Sequence, residues 1–136
     1  MSLPPDDAPA PLSTDEEILA RIGLILDADA RQQRSLVVQF LDAQDRELPV
    51  VVPVDGIPRQ PDGPTVTNLC WIISQVLDEH APGGSAVLTL TRPGSDEIGP
   101  QDRGWHDAIA SAAAVEGASI RLMCLGTRDG VRVLRG

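Results

Sequence analysis

The chain has 136 residues, 42% of them hydrophobic, which is enough for one buried core and too little for two ordinary domains. Twenty acidic side chains against 11 basic ones, every basic one an arginine, give a formal charge of −9; a surface of that sign repels phosphate backbones and anionic lipid and disfavours nucleic acid and membrane as general partners. With Phe40, Trp71 and Trp105 as its aromatic residues, the chain must build an aliphatic core, and it lacks the rings that base-stacking platforms need.

Pro4, Pro5, Pro9 and Pro11 interrupt regular structure, so residues 1–13 read as a disordered lead and 14–136 as a single domain. The lead has neither the positive start nor the apolar stretch of a secretory signal, and no run approaches the ~20 apolar residues of a membrane span. A cytoplasmic location is expected. Thr14 and Glu17 have capping-box spacing, and Ile18, Leu19, Ile22, Ile25 and Leu26 recur at helical intervals, which predicts a helix from Asp15 to Ala30 with one stripe on the core. Two β-rich runs follow, Ser35 to Leu41 and Leu48 to Val54, separated by a polar stretch of hairpin length. Pro49 and Pro53 make the second run an edge strand or a broken one.

Residues Asp55 to Pro64 form a proline-rich connector, and Pro64 suits the first turn of a helix. Val66, Leu69, Cys70, Ile73, Val76 and Leu77 mark that helix's buried face, and Trp71 and Ile72 widen it, which predicts a central helix covered on more than one side. Pro82-Gly83-Gly84 ends it, and the apolar run Ala86 to Thr91 reads as an interior strand. Pro100 opens an alanine-rich helix that ends near Gly117. Ser119 to Leu125 and Val131 to Leu134 then form a closing pair around Thr127-Arg128-Asp129-Gly130, where Asp-Gly signals a hairpin. The order implies an α/β fold: a mixed sheet of about five strands flanked by three helices, in a three-layer-like arrangement.

Few residues offer chemistry. Cys70 and Cys124 sit inside apolar runs, where a thiol behaves as a small buried hydrophobe. His80 falls at a helix end, where its partial charge suits the dipole, and His106 stands beside Trp105 and Asp107; neither Ser95 nor Ser111 sits in a Gly-x-Ser-x-Gly elbow. Arg92, Ser95, Asp96 and Asp102 gather at a strand-to-helix passage, a place where backbone amides cradle anions, so a small phosphate or carboxylate ligand there is the alternative to an ordinary tight turn. The passage lacks the Gly-x-x-x-x-Gly-Lys pattern.

The strand, loop and helix from Leu88 to Trp105 resemble the JAMM or MPN domain, above all its RadC-like branch. The resemblance spans roughly Ser35 to Leu134: Phe40 to Arg46 resembles the family's hairpin, Val66 to His80 its helix, Arg92 to Asp96 its metal loop, and Ala112 to Leu125 its later helix-to-strand passage. It implies a cytidine-deaminase/JAMM-type fold. In that family His-x-His-Pro and Ser-x-x-Asp hold zinc and a Glu activates water. Here Leu90 and Arg92 take the two His positions, and Asp102 matches the Asp if the loop is one residue shorter. Glu47 and Asp55, the carboxylates available for the water-activating role, read as solvated charges. Arg92 brings a fixed positive charge to the place of the metal. The expectation is therefore a pseudoenzyme with no metal, no cofactor and no catalytic residue. It would act through wide apolar helix faces as a homodimer or with another protein. The many Ala, Arg, Gly and Pro residues point to a GC-rich, bacterial coding context.

Overall fold

Thr14 starts the first helix, α1 (Asp15–Ile25). Its hydroxyl accepts the Glu17 N–H at 3.1 Å, and the Glu17 carboxylate accepts the Thr14 N–H at 3.1 Å. The computed structural model describes residues 10–135. Within the expected disordered lead, 1–9 lie outside the described residues, while Leu12 and Ser13 are tied down. The Leu12 N–H bonds to the Asp45 carbonyl (2.8 Å) and its side chain joins the cluster under α1. The Ser13 carbonyl accepts Arg121 Nη2 (3.0 Å).

The first helix ends at Ile25 and not at Ala30. The Asp27 carboxylate takes the Ala30 N–H at 2.8 Å, offering the backbone a local alternative to the helix, and a short 3-10 turn, Ala30–Gln32, follows.

The strands β1 (Ser35–Leu41), β2 (Glu47–Asp55), β3 (Ser85–Thr91), β4 (Ile120–Thr127) and β5 (Gly130–Val133) form one mixed sheet in the order β2-β1-β3-β4-β5. Only β3 and β4 run parallel, joined across the sheet by α3 (Pro100–Glu116); every other neighbouring pair is antiparallel. β2 is an edge strand, as Pro49 and Pro53 require, since a proline cannot donate to a ladder on both sides. The β1–β2 turn places Asp45 at φ 62°, a left-handed conformation that Asp tolerates. The Asp42 carboxylate bonds the N–H groups of Gln44 (2.8 Å) and Arg46 (3.0 Å) there.

Alternation along β1 and β3 divides the core. Leu36, Val38, Phe40, Leu88 and Leu90 face α3 and α2 (Gly63–His80), whereas Val37, Leu41 and Val87 face α1 with Cys124. The result is an α/β fold of three layers, with five mixed strands between α1 on one face and α2 with α3 on the other. Cys70 and Cys124 are free and lie on opposite faces of the sheet. Burial, followed by the Glu116 charge, pushes the Cys70 thiol up; burial, followed by the Asp15 charge, pushes Cys124 up to about 12, so both thiols stay protonated and inert.

One packing expectation is corrected. Trp71 is 53% exposed and Ile72 is 47% exposed, so α2 is covered on one side only. Val66, Leu69, Cys70, Ile73 and Leu77 fill the stripe facing the sheet and α3, and a 3.6-residue period carries Trp71 and Ile72 past that stripe.

Gly84 tests the packing at the start of β3. A Cβ there would press into the Leu41 and Ala81 carbonyl oxygens, both backbone atoms, whereas one on Gly23 in α1 meets nothing. Gly84→Ala is expected to destabilise by about 1–3 kcal/mol, and Gly23→Ala to stabilise by about 0.5–1 kcal/mol. Urea unfolding of the two variants checks the opposite signs.

Candidate functional site: the corner between β3 and α3

The last inward-facing residue of β3 before the loop, Leu90, is 2% exposed and packs in the core between the sheet and the helices. Two residues on, Arg92 lies over the start of α3. Gly99 caps that helix and Asp102 is its third residue, placed so that its Oδ2 accepts the Gly99 N–H at 2.9 Å. The free carboxylate oxygen positions meet the guanidinium side-on. Arg92 Nε donates to Oδ1 at 2.7 Å and Nη2 to Oδ2 at 2.8 Å. This is a bidentate, charge-assisted pair.

The remaining donors turn to the loop itself. Nη1 bonds the carbonyls of Pro93 (3.0 Å) and Ser95 (2.8 Å), and Nη2 bonds that of Glu97 (2.9 Å). A guanidinium has five N–H donors, and these five contacts use all of them. The side chains are 13% and 4% exposed, respectively, so the pair is nearly sealed from water. Burial pushes the Asp102 carboxyl up, but the Arg92 and Gly99 hydrogen bonds, with the charges of Arg92 and Arg34, outweigh it and hold the group below its ordinary value of 3.8. The hydrogen bond to Asp102 raises the Arg92 pKa in turn, against the opposing effect of burial.

Of the four residues singled out for ligand binding, the fold brings Arg92 and Asp102 into direct contact and enlists Ser95 through its carbonyl. The Ser95 hydroxyl sits 3.4 Å from the Glu97 N–H. Asp96 points its backbone toward the β4–β5 turn: its N–H bonds Asp129 Oδ2 at 3.0 Å and its carbonyl accepts Arg132 Nη1 at 3.2 Å. In this arrangement a phosphate or carboxylate finds no unoccupied N–H on Arg92.

Glu47, expected as a solvated charge, has a side chain only 12% exposed; it accepts Arg21 at 2.9 Å and Gln39 Nε2 at 3.2 Å. It opens β2 and pairs there with Arg21 of α1. Asp55 is exposed, as expected. His80 and His106 each stand beside the neighbouring carboxylate, Glu79 at 3.7 Å and Asp107 at 3.0 Å. Among the described residues no three His, Cys, Asp or Glu side chains gather as a metal site would require.

Two further side chains, Trp105 and Arg31, tie neighbouring segments together here. Trp105 Nε1 donates to the Arg59 carbonyl at 3.0 Å, tying the proline-rich connector to α3. Arg31 donates to the carbonyls of Thr127 (2.8 Å) and Leu26 (2.6 Å), with its stem over Gly126, where a Cβ would sit 3.5 Å from its Cδ. Their partners lie 46, 96 and 5 positions away. Comparison of the chain with protein-family models, curated proteins and solved structures returned no match.

Removing one member of a sealed ion pair leaves the other charge buried. Arg92→Ala is therefore expected to cost about 3–5 kcal/mol, measured by urea unfolding. Arg92→Lys should recover only a minor part, because an ammonium cannot match the planar fork. Asp102 has a depressed pKa in the folded state, so its stabilisation is complete above the unfolded value of 3.8 and is lost as pH falls through the folded value. Asp102→Asn should flatten that acid limb in thermal unfolding scans.

Proposed function

We propose that this is a non-catalytic domain, of the fold type of the RadC-like JAMM branch, that works through protein contacts and self-associates through the outer surface of α2 and α3. The observation that carries this reading is an apolar groove of about 300 Å³ between the two helices, lined by Val66, Thr67, Ala108, Ala112 and Val115 among others. Val115 on its rim is 83% exposed, and Trp71, one turn along α2 from Thr67, is 53% exposed. A tryptophan left in water beside a strip of alanine and valine is the composition of an interface centre, where aromatic anchors fill shallow apolar pockets.

The loss of hydrolytic chemistry is supported at the corner. Where the resemblance places two imidazoles and a zinc ion, Leu90 is packed into the core and the Arg92 guanidinium faces Asp102. The cation opposite that carboxylate is thus part of the chain. A small-anion role for Arg92, Ser95, Asp96 and Asp102 would require Arg92 to release one of its internal acceptors, which makes self-association the better-supported reading. Two free cysteines suit a reducing, cytoplasmic setting, and among the described residues no helix is long and apolar enough to cross a membrane.

Size-exclusion chromatography with light scattering tests the proposal. Twice the 14.4 kDa chain mass is expected at high concentration, and Trp71→Arg combined with Val115→Arg should return the protein to a folded monomer. A wild-type chain that stays monomeric, or a dimer indifferent to both substitutions, would contradict it.

A further inference from the structure

β2 is the longest strand of the sheet, at nine residues, and among the described residues no strand lies on its outer side. Its run from Leu48 to Val54 carries no charge, and Val50, Val51 and Val52 within it are 46%, 41% and 36% exposed. A long apolar edge of this kind offers unpaired backbone groups to any other strand, and folded proteins blunt such edges with charges, prolines or bulges. Charge is not the device here. The chain contains no lysine, and its nearest charged side chains, Glu47 and Asp55, stand at the two ends of the strand.

The ladder to β1 fixes the direction in which the β2 backbone groups point. Ser35 faces Asp55, Val37 faces Pro53 and Gln39 faces Val51, and one step past Ser35 the Gly56 N–H bonds the Arg34 carbonyl at 3.1 Å. Opposed residues of an antiparallel pair alternate between bonded and non-bonded, so Arg34–Gly56, Leu36–Val54 and Val38–Val52 are the bonded pairs. Val51, Pro53 and Asp55 therefore turn their backbone groups away from β1. At the middle of that outward row Pro53 presents a carbonyl and no N–H, with its ring where the hydrogen would be. On the other side of Val51 the register shifts, and Leu48, Pro49 and Val50 stand where β1 has Phe40 alone.

We propose that Pro53, together with the register shift at Pro49, closes the β2 edge to strand addition by a second copy of this chain. The run Pro49-Val50-Val51-Val52-Pro53 reads the same in both directions, so an antiparallel second copy would set like residues against each other about Val51. That copy is the strand the edge is built to refuse. It would gain one reciprocal pair of hydrogen bonds, at Val51, and would press a carbonyl against each Pro53 ring. Pro53→Val would instead leave three successive outward positions, 51, 53 and 55, each with a donor and an acceptor. Stiffening of the chain, the other effect of a proline, acts on stability and leaves the state of association unchanged.

Light scattering over a concentration series tests this, with every variant read against the wild-type chain so that the outcome is separate from any association through α2 and α3. Pro53→Val, and Pro53→Thr as a more polar version, are expected to keep the wild-type circular dichroism spectrum and to reach an apparent mass at least ~twofold above wild type. Adding Val51→Pro, which moves the missing donor to the neighbouring outward position, should restore the wild-type mass, a rescue that misfolding would not show. Val52→Pro removes an N–H that points to Val38 and should unfold at lower urea than Val51→Pro. Wild-type mass for Pro53→Val and Pro53→Thr at every concentration overturns the proposal. So does a gain in mass that Val51→Pro fails to reverse, or equal urea midpoints for Val51→Pro and Val52→Pro.

Discussion

The passage from β3 to α3 is held by one guanidinium. Arg92 gives two N–H groups to Asp102 and three to the carbonyls of Pro93, Ser95 and Glu97, so three carbonyls of a loop with no regular hydrogen bonding of its own are satisfied from a single side chain. Asp102 in turn bonds the Gly99 N–H, supplying at the third helical residue the capping contact that glycine, lacking a side chain, cannot make in the usual direction. A buried pair of this kind adds little over a well-packed apolar substitute, but losing one partner is costly. The constraint it imposes is one of uniqueness. The three carbonyls meet the guanidinium plane, and through Asp102 the same side chain joins the end of β3 to the start of α3.

This constraint bears on function as well as on stability. A hydrolytic corner needs donor atoms with free lone pairs facing an accessible cation. Here the inward position at the end of β3 is filled by a buried leucine, and the carboxylate at the helix start is engaged by a cation covalently part of the chain. The strand-end loop is held by this pair as a structural staple. What stays open to solvent lies elsewhere, on the two flanks of α3. One flank, together with α2, carries exposed valine and tryptophan beside alanines; the other borders a groove between α3 and β4.

The order of helices and strands could be read from the sequence because each element carries a local signal: the Thr14–Glu17 box, the apolar period of Val66 to Leu77, the prolines that put β2 at an edge, the Asp129-Gly130 turn. Each acts within a few residues and so survives without knowledge of the partners. The points that escaped depend on contacts made across the fold. Nothing near Trp71 says that no layer covers α2 there, and nothing near Glu47 announces Arg21, 26 positions earlier. The termination of α1 at Ile25 had a local cause, the Asp27 carboxylate, outweighed in the sequence by the continuing apolar period. At the corner, sequence placed Arg92, Ser95, Asp96 and Asp102 in one loop, but only the folded chain shows that the first and last neutralise each other.

The claim on which the account rests is that Arg92 and Asp102 act as one unit. A double-mutant cycle with Arg92→Ala, Asp102→Ala and the combined variant measures it most directly, by equilibrium unfolding at neutral pH. The account predicts strong non-additivity, with the double variant little worse than either single one, so that the coupling energy is about as large as one single loss, about 3 kcal/mol or more. Additive losses, with a coupling energy near zero, would mean that the two residues act independently, and the closed corner described above would not stand.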